Sequence, residues 1–171
     1  GLLDTGAGEL DEEKIADRLA DIGARLGGSV DQDRASISLR SLSSAREREA
    51  ALELMRLVLQ QPMFPAAALE REKARSIAGI READTRPGSI AAKRFAAALY
   101  PGHPYGRLPT VESVEKITRD DLLAFYRAHY GARRAVVSII GDLARAEAEA
   151  IAQRLTADLP DAPARAGLPD T

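Results

Sequence analysis

The chain has 171 residues, 45% of them hydrophobic and 29% charged, a size and composition suited to one folded domain with a real core rather than a disordered segment. Its 24 Lys and Arg against 26 Asp and Glu leave a net charge of -2, without the basic excess that binding to a phosphate backbone exploits, and no apolar run approaches the ~20 residues of a membrane span. With 0 cysteines and 2 histidines, disulfides, thiolate metal sites and cysteine nucleophiles are excluded and little metal-binding capacity is left.

The opening GLLDTGAG lacks the positive charge and apolar stretch of a signal peptide. It reads as the tail of a helix cut from something longer, with Leu2 and Leu3 apolar and Gly6 and Gly8 able to stop the turn. Residues 11–22 place Ile15, Leu19 and Ile22 at helical spacing behind a run of acids, and Gly23 is a natural left-handed stop. Residues 24–30 and 34–42 alternate with period two, Ile37 and Leu39 between serines and arginine, which predicts a half-buried antiparallel pair turning near 31–33. Ser44 and Glu47 form a capping-box pattern for a helix carrying Ala51, Leu52, Met55, Val58 and Leu59 and closed by Pro62.

A second long helix follows Pro65 and runs to about Thr85, and Pro87 opens a third that holds Ile90, Phe95, Ala98 and Leu99. PGHPYGRLP is a loop over 101–109, and 110–117 is a helical turn. Thr118 and Asp121 cap a helix with Leu122, Leu123, Phe125 and Tyr126. The β-branched density of 134–141 predicts a buried strand, 144–155 a last helix, and the polar, Pro-rich stretch from Pro160 a linker. The succession fits an α+β domain in which helices cover one face of a mostly antiparallel sheet, with further strands preceding residue 1, because about three strands are thin support for so many helices.

His103 in the loop and His129 at a helix end match no metal spacing and read as a loop residue and a dipole-favoured helix terminus. Glu70, Glu72 and Glu82 can serve as acid, base or ligand, but Arg71, Lys73, Arg75 and Arg81 between them favour a solvated, ion-paired face. GxSxG is missing, and Gly27 and Gly28 follow no phosphate-loop pattern. From residue types alone the chain is an α+β domain whose chemistry stays open between hydrolase and scaffold.

Taken in order, LLDTGAG, the hairpin ending in Asp33, FPAAALEREKARSIAGIREADTRPG, HPYGR and ITRDDLLAFYRAHYGARRAVVSIIGDL resemble the pitrilysin/insulinase family of zinc metallopeptidases, which includes mitochondrial processing peptidase. The resemblance covers residues 2–143 and implies a LuxS/processing-peptidase-like metallopeptidase domain over 1–159, lacking its first strands, with 160–171 leading to a second domain. Members pair two halves into a clamshell around a peptide chamber; one half carries an inverted zinc motif, HxxEH, and a later glutamate ligand.

In this register Gly1 stands where the second histidine is expected, Gly79 where the ligand glutamate is expected, and Glu72 matches a glutamate that supports the ligands. Glycine offers no side-chain donor, and Glu82, three residues on, is displaced by about 4.5 Å and 300° around the helix. The other reading of Gly79 is a helix glycine that admits a close neighbour. The strand Gly27, Gly28, Ser29 and Val30 matches the edge on which catalytic halves add peptide substrate, or is an ordinary flexible edge.

The resemblance therefore implies a non-catalytic half, holding no metal itself and inactive alone. It would form the peptide chamber with an HxxEH-bearing subunit or half that holds zinc, in a bacterial and periplasmic setting, without nucleic acid. Its alternatives are a catalytic endopeptidase whose HxxEH lies upstream, and a non-peptidase scaffold subunit.

Overall fold

The structure, a computed structural model, describes residues 2–161. These fall into two compact units, one made of 2–65 with 122–161 and the other of 66–121. The expected α+β class holds, but the strands form two separate two-stranded antiparallel ribbons instead of one larger sheet.

The first unit starts with a single 3-10 turn, Leu3–Thr5, where the end of a helix is predicted; Thr5 is buried and its hydroxyl donates to the Leu2 carbonyl at 2.8 Å. The strands β1 (Gly6–Ala7) and β2 (Leu10–Asp11), which the periodicity does not reveal, pair Gly6 with Asp11 and Ala7 with Leu10. Residues 61–63 run antiparallel along β1, with the Gly8 amide donating to the Gln61 carbonyl and the Met63 amide to that of Gly6, both at 3.0 Å. Pro62, which has no N–H, sits opposite Ala7 at the bridge, where the ladder can do without a donor.

Helix α1 (Glu12–Asp21) is capped by Asp11, whose carboxylate accepts from the Lys14 amide at 2.9 Å. It ends at Gly23, whose φ of +62° side chains rarely adopt and which lets the Ala24 amide reach the Leu19 carbonyl at 2.8 Å. The ribbon of β3 (Arg25–Val30) and β4 (Ala35–Arg40) pairs Leu26 with Leu39 and Gly28 with Ile37. It is less covered than predicted: no residue of either strand is buried, and Leu26, Ile37 and Leu39 alone are half-covered.

Helix α2 (Ala45–Gln60) organises this unit. Ser44 does not cap it through an amide as the predicted box requires; its hydroxyl donates instead to the Glu47 carboxylate at 2.5 Å. One face of α2 puts Leu54 and Val58 against Ala7, Leu10 and Ile15. Burying Ile15, Leu54 and Val58 stabilises the fold by roughly 1.5–3 kcal/mol each. The other face puts Leu52 against Ile151 and Leu155 of α7 (the last helix in chain order, Arg145–Thr156), with Met55 and Leu59 beside them. The Gln60 amide group donates to the carbonyls of Arg154 at 2.9 Å and Leu155 at 3.2 Å, satisfying acceptors at the end of that helix.

In the second unit, α3 (Ala66–Ala83) is followed by α4 (Pro87–Leu99), a 3-10 turn Pro104–Gly106 and the short α5 (Val111–Glu115). Gly106 is required by close approach: a Cβ there would stand 2.4 Å from the Tyr100 carbonyl oxygen. α5 has a full capping box, the Thr110 hydroxyl accepting from the Ser113 amide and the Ser113 hydroxyl from that of Thr110. The predicted apolar side of α4 is not buried; Phe95 is 67% exposed.

Helix α6 (Arg119–His129) begins in the second unit and continues in the first. Thr118 and Asp121 cap it as predicted, with the Thr118 hydroxyl donating to the Asp121 carboxylate at 2.7 Å. Tyr126 is buried and Phe125 exposed. After the 3-10 turn Ala132–Arg134, residues 135–140 form no strand, contrary to the prediction, because a strand needs a paired edge and none of the described residues supplies it. The predicted linker lies outside the described residues beyond position 161.

Candidate functional site

The positions singled out for chemistry fall on α3, the β3–β4 ribbon, the loop after α4 and the end of α6; Gly1 lies outside the described residues. On α3 each candidate carboxylate faces a cation one turn away. Glu70 meets Lys73 at 3.3 Å, Glu72 meets Arg75 at 3.9 Å, and Glu82 pairs with Arg86. Lys73 also donates to the Ile117 carbonyl at 3.2 Å, so this pair ties α3 to the segment after α5.

Gly79 lies exposed on α3 with no heavy atom within 4 Å of where a Cβ would stand. The reading of a glycine that admits a close neighbour is overturned, since open space surrounds the position. It borders an open groove of about 690 Å³ between α3 and α4, lined mainly by apolar atoms, with Ile80, Ala83, Ala92, Ala96 and Leu108 among its walls. This groove escaped the sequence reading, although its signal was present: Ser76, Gly79, Ile80 and Ala83 repeat at helical spacing, as do Ser89, Ala92, Lys93 and Ala96.

His103 is buried and works within its loop. Its Nδ1 accepts from the Tyr105 amide at 3.2 Å, capping the 3-10 turn, and its ring stands edge-on to Tyr105 with centroids 4.6 Å apart. His129 stacks on Phe125 at 4.3 Å. Tyr126, expected on this helix but without these contacts, donates from its hydroxyl to the Leu59 carbonyl at 2.6 Å and meets Phe64 edge-on at 6.3 Å. Burial pushes the Tyr126 phenol up to about 12, with the neighbouring Tyr130 adding to the effect.

A zinc ion asks for several convergent nitrogen or oxygen donors. The residues here do not fit it. Gly79 has no donor, the α3 glutamates are engaged with arginine or lysine, and the accepting nitrogen of His103 is occupied. Among the described residues no group of three or more His, Asp or Glu gathers to hold a metal.

The structure brings Gly27, Gly28, Ser29 and Val30 together on β3, at the outer side of a two-stranded ribbon. The turn closes with the Asp31 amide donating to the Arg34 carbonyl at 3.0 Å. By the alternation of an antiparallel ladder, Ser29 and Gly27 then bond to β4, while Gly28 and Val30 turn their main-chain groups outward. Val30 is 82% exposed at the tip. No described helix is long and apolar enough to cross a membrane.

A family model described as the peptidase M16 inactive domain matches residues 116–170. The chain is 28% identical over 106 residues to the probable mitochondrial-processing peptidase subunit beta of Schizosaccharomyces pombe, covering 61% of this chain and 23% of that protein. It is 23% identical over 157 residues to mitochondrial-processing peptidase subunit beta of Lentinula edodes, covering 91% and 33%. The chain thus spans about a quarter to a third of these two curated relatives.

Among solved structures, the peptidase M16 inactive domain from Pseudomonas fluorescens superimposes with a TM-score of 0.94 at 37% identity, covering 98% of this chain and 41% of that one. The fold is also that of the periplasmic protease PqqL from Escherichia coli, with a TM-score of 0.76 at 16% identity over 95% of this chain and 18% of that one. The chain belongs to the M16 peptidases, the pitrilysin/insulinase family, and is consistent with a non-catalytic half of such a protein.

Proposed function

We propose that the chain is a non-catalytic, wall-forming part of an M16 endopeptidase, which encloses the peptide substrate together with a separate half that bears HxxEH and holds zinc. The observation that carries this reading is Gly79. In the family register it occupies the place of the ligand glutamate, and in the structure it presents neither a donor nor a packed neighbour. Glu72, the supporting position, keeps its carboxylate near Arg75 and has no ligand to orient. The loop around His103 serves the fold.

The chain's own contribution to peptide binding is the open edge of β3. Gly28 and Val30 offer main-chain donors and acceptors to an extended peptide, which needs no particular side chain on this side. A glycine pair there lets substrate backbone approach closely but leaves the strand weakly ordered.

The test is reconstitution of the full-length polypeptide with a candidate HxxEH subunit. Alone, the polypeptide is expected to carry no stoichiometric zinc by elemental analysis and to cleave no peptide; the pair cleaves. Stoichiometric zinc on the isolated polypeptide, coordinated through Glu72 or Glu82, would overturn the reading. A complex whose cleavage is indifferent to this chain would make it a scaffold subunit instead. Within an active pair, Gly28→Pro removes one outward donor and is expected to raise KM with little change in kcat.

A further inference from the structure

The β3–β4 ribbon sorts its side chains by face. Leu26, Ile37 and Leu39 share one face, from which Leu26 joins the cluster around Val58 and Leu39 the cluster around Leu52. The other face carries Arg25, Gly27 and Ser29 from β3 and Ser36, Ser38 and Arg40 from β4, all of them exposed. Small uncharged residues thus surround two arginines.

Arg25 and Arg40 are register partners, directly opposite each other at the end of the ribbon away from its turn. Like charges so placed repel and cost the ribbon stability unless something neutralises them. Neither arginine forms an ion pair or a side-chain hydrogen bond among the described residues. The hairpin's third arginine shows the alternative: Arg34, in the turn, holds the Asp31 carboxylate at 3.2 Å. The Ser38 hydroxyl, on the same face and without a partner among the described residues, lies 3.3 Å from where a Cβ on Gly27 would stand. Three donors therefore share this face with no acceptor.

Beside them runs the open edge of β3. By ladder alternation Leu26 and Gly28 turn main-chain groups outward, so Arg25 and Gly27 fall at the close, non-hydrogen-bonded positions of an antiparallel strand added there. A residue of that strand opposite Arg25 puts its side chain on the arginine face. It is then the immediate neighbour of Arg25 and two strand spacings, roughly 10 Å, from the backbone of β4, a gap that long side chains can close from both sides.

We propose that Arg25, Arg40 and Ser38 form a carboxylate subsite that selects extended peptides bearing an acidic side chain opposite Arg25. The proposal rests on the reading of β3 as the peptide-binding edge. Main-chain bonds along that edge hold any extended backbone, and the arginine pair chooses among sequences. Two guanidinium groups can divide the oxygens of one carboxylate between them, and the bound acid then cancels the repulsion between its hosts, which a neutral peptide leaves in place. The chain's net charge of -2 gives no general basic field for a polyanion, so the pair suits a single acid on an otherwise neutral strand.

Peptide binding to the full-length polypeptide, with a zinc chelator present so that nothing is cleaved, tests this. The probes are peptides of about ten residues rich in Val and Thr, capped at both ends and carrying a neutral dye, with Glu, Gln or Lys at the centre. The Glu peptide is expected to bind about 5–10-fold more tightly than the Gln peptide at low salt and the Lys peptide more weakly than either, with the differences shrinking as salt is raised. Gly28→Pro, which disturbs the edge, should weaken all three alike. Arg25→Gln combined with Arg40→Gln should abolish the preference, and without peptide should leave Tm unchanged or raise it by about 1–2 °C as the repulsion is removed.

Equal binding of the Glu and Gln peptides overturns the proposal and leaves the edge standing, as does a preference that survives the double substitution. A Gln peptide with a free C-terminus that binds as tightly as the Glu peptide would make the pair a reader of chain ends and overturn the side-chain assignment. If none of the peptides binds, the edge itself fails and the subsite with it. A fall in Tm of the double variant also overturns the subsite, since the arginines would then be serving the fold.

Discussion

Helices α2 and α4 read alike in sequence, each a run of good helix formers with an apolar stripe, yet the structure treats them in opposite ways. Helix α2 buries Ala51, Leu52, Leu54 and Val58 and serves a separate cluster on each of two faces. Helix α4 buries none of its residues, and both Phe95 and Leu99 are exposed. An apolar stripe specifies that a face needs cover, whereas the cover itself is a property of the rest of the fold.

The comparison breaks most directly by truncation. Leu54→Ala removes packing from the cluster around Ile15 and Val58 and is expected to cost about 2–4 kcal/mol in urea denaturation of the 171-residue chain. Leu99→Ala in the same chain is expected to stay within about 0.5 kcal/mol. Equal losses would show that α4 is covered after all. A loss at Leu99 confined to a longer polypeptide would sharpen the contrast by locating the missing cover outside these residues.

Two glycines extend the contrast to the backbone. Gly106→Ala forces a Cβ against the Tyr100 carbonyl and is expected to destabilise by about 1–3 kcal/mol. Gly79→Ala adds a methyl to open space on an exposed helix and is expected to stabilise by about 1 kcal/mol. A destabilising Gly79→Ala would mean that something packs there, and would weaken the reading of Gly79 as a vacated ligand position.

Tyr126 anchors α6 to the end of α2, and Tyr126→Phe is expected to cost about 1 kcal/mol through loss of the bond to the Leu59 carbonyl. It also sets an alkaline limit. Tyrosine in the unfolded chain ionises near pH 10 and folded Tyr126 at about 12. The contribution is therefore whole below pH 10 and is lost as pH rises towards 12, because the unfolded state gives up its proton first. Chemical denaturation of Tyr126→Phe should show a shallower decline across that window than the native chain.

Local signals made most of the helices legible. Acids ahead of Ile15, the stop at Gly23 and the Thr118–Asp121 pair each act within one turn, so a single sequence carries them. The α+β class and the hairpin at 31–33 were legible for the same reason. What depends on distant partners was not. The bridge of Ala7 to Pro62 joins residues far apart in the chain, and 134–141 shows β propensity without showing whether a neighbour exists. His103 illustrates the limit at the site: its sequence neighbours mark a loop, and its burial against Tyr100 and Tyr105 emerges when the loop closes on itself.

The smallest effect concerns the cap of α6, where the sequence reading and the structure agree. The Asp121 carboxylate accepts from the Thr118 hydroxyl at 2.7 Å and the Thr118 amide at 2.8 Å, and these two bonds hold its pKa below the usual carboxylate value. A depressed folded pKa means that the contribution is present above the ordinary carboxylate range and is lost as pH falls through the folded value. Asp121→Asn keeps the shape of the cap but removes the titrating charge, which also faces the positive end of the helix. In acid titrations followed by circular dichroism, the native chain should therefore lose stability more steeply below the carboxylate range than the variant does. Because the site is exposed and several other carboxylates, among them Asp11, Asp31 and Glu47, are lowered by similar local bonds, the difference should be small and graded. Identical acid profiles would mean that Thr118 and Asp121 meet too briefly in solution to fix the start of α6.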